Sequence, residues 1–197
     1  MTTKRNALSI INSWRQLTPR AKRIFAILAF FLLSIIVTVA GVLAPMSFGD
    51  AQSLSQGLAE TRQEIDSMDL VHSTVAIFEN NFLISLVMFV PFVGPFFGFY
   101  VLHNTGLVIS AVSQTSSPPV PGLLTFFFLW FYPFTWMEFI AFATAIAESV
   151  WLAWRIIQRK GLRELKMTGI LIGSVAIILL AAALIEAALI IYFNSLI

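Results

Sequence analysis

The chain has no cysteine and only two histidines among its 197 residues. Without thiols it can form no disulfide, no thiolate metal site and no cysteine nucleophile. Charge is scarce too. Asp, Glu, Lys and Arg make up 11% of the chain, against about 25% in ordinary soluble domains. The net charge of +2 gives no basis for binding nucleic acid. A phosphate-binding glycine loop, a G-x-S-x-G elbow and an H-E-x-x-H helix are all missing, so no enzymatic activity and no cofactor are expected. His103 could meet carboxylates, but no metal-ligand spacing supports a metal site. Internal repeats are not evident, and with them go the paired halves of many secondary transporters.

What the chain has instead is apolar sequence: 58% of residues are hydrophobic and the mean hydropathy is +0.88. This composition predicts an all-α integral membrane protein with one transmembrane domain over residues 24–197. Five spans are expected, at about 24–44, 71–92, 96–114, 134–154 and 167–193. At about 1.5 Å per residue the first covers about 31 Å, enough for the hydrocarbon core. Its length and the following Pro45 argue against a cleaved signal peptide. Residues 1–23 read as a cytoplasmic segment. Within it, Ala7, Ile10, Ile11, Trp14 and Leu17 share one face of an amphipathic helix, and Thr18-Pro19 forms an N-cap and first turn. Residues 45–70 are acidic, with Leu54, Leu58, Ile65 and Met68 at helical spacing, and read as an extracytoplasmic helical loop. The aromatic block 126–136 contains Pro133 and is either the start of a kinked span or an interfacial piece.

Basic residues set the orientation. Lys4, Arg5, Arg15, Arg20, Lys22 and Arg23 precede the first span, and Arg155, Arg159, Lys160, Arg163 and Lys166 lie between the fourth and fifth. Five crossings put both clusters on one side, so the N-terminus is expected in the cytoplasm and the C-terminus outside.

Four glutamates fall inside these spans: Glu79, Glu138, Glu148 and Glu186. A carboxylate in hydrocarbon is costly unless it is protonated, hydrogen-bonded or facing water. Counting the rise from the inner ends puts Glu79 at roughly 20 Å, Glu138 at roughly 24 Å and Glu186 at roughly 28 Å. They form an outer layer that Asn80 and Asn81 join. Glu148 lies lower, near the level of His103, and the two form a candidate second layer. The outer layer fits a proton or cation path, or polar packing between helices. Gly94-x-x-x-Gly98 and Gly169-x-x-x-Gly173 have the spacing for close helix contact, expected mainly within the chain. Trp151 and Trp154 are expected in an inner interfacial belt, Trp130 and Tyr132 in an outer one.

The order of several short motifs resembles the stage II sporulation protein M family of multispan membrane proteins. They are Phe78-Glu79-Asn80-Asn81, the Gly94–Gly98 run leading to Gly106, Pro133 with Glu138 five residues on, and Ile185-Glu186-Ala187. The family's Pro-His-Gly pattern is not kept, because Phe134 and Thr135 follow Pro133. The resemblance implies a membrane scaffold that recruits other proteins. It also marks Glu79, Asn80, Asn81, Glu138 and Glu186 as one set. The reading is therefore a multi-pass cell-membrane scaffold or accessory subunit, partnered by the lipid bilayer and by other membrane proteins or a second copy. The alternative is a proton- or cation-coupled transporter or channel using the carboxylates.

Overall fold

The computed structural model describes residues 18–195, and all regular structure in them is helical. The amphipathic segment expected at residues 6–17 lies outside the described residues. Five helices are long and apolar enough to cross a membrane: α1 (Pro19–Val42), α3 (Leu70–Met88), α4 (Gly94–Thr115), α6 (Pro133–Ile157) and α7 (Leu165–Asn194). Between them lie α2 (Phe48–Asp66), α5 (Gly122–Leu129) and a single 3₁₀ turn at Gly161–Arg163.

Local chemistry sets the ends. Thr18 caps α1, its hydroxyl accepting from the Ala21 amide, with Pro19 in the first turn. Ser47 caps α2 and Asp69 caps α3 in the same way. The amide and ring of His72 hydrogen-bond Asp69, which holds that carboxyl below its ordinary value. The α3–α4 corner turns through Phe92, at φ 67°. It packs so closely on α6 that a Cβ on Gly94 would touch the Met88 carbonyl and come within 2.6 Å of the Ser149 hydroxyl. Ser149 also donates to the Val90 carbonyl at 2.7 Å, tying α6 to this corner.

α6 is the most buried span, packed by α1, α3, α4 and α7. Met88, Leu102, Phe142, Ile146, Val175 and Leu179 form the centre of the bundle. α1 instead buries only Ser34, Thr38, Gly41 and Val42, a narrow stripe of mostly small residues laid on α4. A Cβ on Gly106 would sit 2.7 Å from the Val42 amide nitrogen and closer still to the Thr38 carbonyl oxygen. Gly98 fits under Ile146 of α6 in the same manner. Around Gly169 and Gly173 there is open space, so that pair does not serve packing among the described residues. Small residues help only where a neighbouring backbone approaches, and among the described residues none approaches this part of α7.

The acidic excursion is the helix α2, lying on α4. Its buried contact residue is Ala51, with Ser55 and Leu58 half-buried, while Leu54 and Met68 are exposed. The aromatic block is not the start of one kinked helix. α5 is a separate helix, and α6 starts afresh with Pro133 in its first turn. Trp130 packs against Phe31, Phe126, Trp136 and Phe139.

Candidate functional site

Polar side chains gather at two levels. The first is at the basic end of the bundle. Glu148, Trp151 and Arg155 recur along one side of α6. Glu164 stands at the N-cap position of α7, with Thr168 one turn on. Arg23, in the second turn of α1, reaches all of this. Its Nη2 donates to Glu148 Oε1 at 3.4 Å and its Nε lies 3.3 Å from Oε2. The same Nη2 bonds Glu164 Oε2, and the guanidinium stands 5.0 Å from the centre of the Trp151 ring. Arg155 clamps Glu164 Oε1 through Nε at 2.7 Å and Nη2 at 2.6 Å. Thr168 donates to Glu148 at 2.7 Å. Two guanidinium groups and two carboxylates thus balance, and they join α1, α6 and α7.

Burial opposes ionisation of Glu164. The Arg155 hydrogen bonds and the charges of Arg23 and Arg155 outweigh it and hold the carboxyl below its ordinary value of 4.5. A depressed carboxylate stabilises the fold above its unfolded value, and that contribution is lost as pH falls through the folded one. Stability in mild detergent should therefore decline below pH 4.5. Glu164→Gln should remove that part of the decline. An unchanged acid profile in the variant would refute the assignment.

The apolar run that starts at residue 24 leaves Arg23 among the loop cations, so the sequence alone does not show this network. The clue was available: an N-cap at Thr18 starts the helix at Pro19 and carries Arg23 one turn inside. The expected pairing of His103 with Glu148 is not formed. Glu148 is taken by Arg23 and Thr168, and among the described residues no hydrogen bond or ion pair joins it to His103. His103 lies on α4, where its carbonyl backs onto Gly41 of α1.

The second level holds part of the outer set. Asn81 Nδ2 donates to Glu138 Oε1 at 2.8 Å, joining α3 to α6. Glu186 of α7 and Arg62 of α2 line one cleft with Tyr132 and Phe134 at the start of α6. The cleft is about 190 Å³, with Asp66 and Asn194 also on its walls. Glu79 and Asn80 do not join this group. Successive residues of an α-helix are turned by about 100°, so with Asn81 facing α6, Glu79 faces the opposite way. Both Glu79 and Asn80 are exposed on the outer side of α3, between exposed Val75 and Leu83. The five residues are thus two groups, one inside the bundle and one on its surface.

Fold and polar sites together define a multi-pass helical membrane protein. The model of the family described as stage II sporulation protein M matches residues 26–189, and the chain belongs to that family. No curated protein and no solved structure matches it.

Proposed function

We propose that this protein is a scaffold or accessory subunit of a cell-membrane complex, with its basic end in the cytoplasm. One observation carries the reading: Glu79 and Asn80 lie at the middle of a membrane-spanning helix and face away from the other described helices. Glu79 stands nine residues from each end of α3, or about 13 Å. An acidic side chain at such a depth costs about 2.5–3.5 kcal/mol on insertion scales when it meets lipid. A partner helix that hydrogen-bonds Glu79 and Asn80 removes that cost. The outward face of α3 is thus the contact surface, and the partner is another membrane protein or a second copy.

Transport has less support. The two polar levels are about 15 Å apart along α6, from Glu138 to Glu148. Phe142, Ile146, Val175 and Leu179 fill the space between them. An ion would have to cross that apolar layer.

The absence of cysteine makes the test direct. Single cysteines at Val75 and Leu83, which flank Glu79, should crosslink in native membranes to a partner or to a second copy. Cysteines at Leu32 and Ile36, on the exposed side of α1, should not. Equal yields at both faces, or none at Val75 and Leu83, would remove the proposal.

A further inference from the structure

At the basic end, a cleft of about 610 Å³ runs between the ends of α6 and α7 beneath the α3–α4 corner. That is the size of a small-molecule site. Leu152, Ile156 and Leu165 give it an apolar floor, and Leu162, 85% exposed, stands at its edge. Arg159, Lys160 and Arg163 form the rim. The floor belongs to the last turns of α6 and the first of α7, within the two candidate spans, and the rim lies in the connection between them.

The charges here are one-sided. Glu164, the acid nearest in sequence, is already held by Arg23 and Arg155. Among the described residues no ion pair or hydrogen bond engages the side chains of Arg159, Lys160 or Arg163. The backbone adds a second observation. α6 ends in a Schellman turn, with the Lys160 amide on the Arg155 carbonyl at 2.9 Å and the Arg159 amide on the Ile156 carbonyl at 2.8 Å. The left-handed position of that turn normally takes glycine, yet here it is Arg159, at φ 57°. The chain accepts an unfavourable residue where it sets a guanidinium on the rim.

We propose that this cleft binds one anionic phospholipid, an acyl chain along Leu152, Ile156 and Leu165 and the phosphate on Arg159, Lys160 and Arg163. Three cations with no free acid among them select an anionic headgroup over a zwitterionic one. The site does not depend on the scaffold reading: failed crosslinking at α3 would leave it standing.

The test uses the full chain, stripped of lipid in mild detergent. It is titrated with phosphatidylglycerol or phosphatidylcholine of matched acyl chains and followed by native mass spectrometry. One phosphatidylglycerol should be retained in preference to phosphatidylcholine. Arg159→Gln and Arg163→Gln should each weaken it by about fivefold, the scale of one basic residue at a membrane surface. Neutralising Lys4 and Arg5 together is the control for general charge and should leave the preference unchanged. Arg159→Gly relieves the backbone and so should fold at least as well as the parent, yet lose the same fivefold or so in affinity. Equal binding of the two lipids would overturn the proposal. So would an equal loss in the Lys4/Arg5 control, or full displacement of the lipid by soluble glycerol phosphate.

Discussion

Arg23→Gln should cost about 3–5 kcal/mol of stability, because it strands a buried carboxylate. Glu148 is 2% exposed and has no other cation among its partners in the described residues; Thr168 supplies a hydrogen bond but no charge. The thermal midpoint in detergent should fall sharply, and recovery of folded protein with it. Adding Glu148→Gln to the same chain should restore much of the loss, since the amide is neutral and can still accept from Thr168. Restoration will be incomplete, because Arg23 also holds Glu164. If the single and double variants are equally damaged, the pair is not what Arg23 contributes. The double-variant comparison isolates the coupling from the separate effects of each change.

Gly106→Val should be damaging for a different reason. Its new Cβ would sit 2.7 Å from the Val42 nitrogen and 2.9 Å from the Gly41 carbonyl carbon, which are backbone atoms of α1. No rotamer change can clear them, so α1 must shift off α4. Overpacking costs about 1–3 kcal/mol where side chains can adjust, and this site should lie at or beyond the top of that range. Gly98→Ala is a milder comparison, because its Cβ would meet the flexible end of Ile146. Gly169→Val, in open space, should leave the midpoint unchanged. A Gly106 variant that melts like the Gly169 variant would show that the α1–α4 contact is looser than described.

Neither of these two sites is legible in the sequence, whereas much of the fold is. The spans are legible because a bilayer demands some twenty apolar residues in a row, and each falls within a few residues of its expected place. The Asn81–Glu138 contact is foreshadowed by the motif resemblance, which groups both residues in one polar set. The face on which a polar residue sits was harder. Glu79, Asn80 and Asn81 are adjacent in sequence and share a depth, so rise alone could not separate them. Rotation does, and it requires knowing which side of α3 meets α6. Arg23 was missed because a cation at a span's edge serves equally as a topology signal and as an ion-pair partner. The tight α1–α4 crossing left a faint trace, small residues at Ser34, Thr38 and Gly41, with no glycine pair at the usual spacing to announce it.

The partners of Arg23 lie 125 and 141 positions downstream of it. At about 5–20 residues per second, ribosomes take roughly 6–30 s to make that stretch. Until then the carboxylates that pair with Arg23 have not been made, and its long stem lets the guanidinium reach toward the headgroups. The bundle closes only when the last hairpin delivers Glu148 and Glu164. A chain stalled before that point presents an unsatisfied cation at the membrane edge, a feature by which membrane quality-control proteases could tell unfinished copies from finished ones.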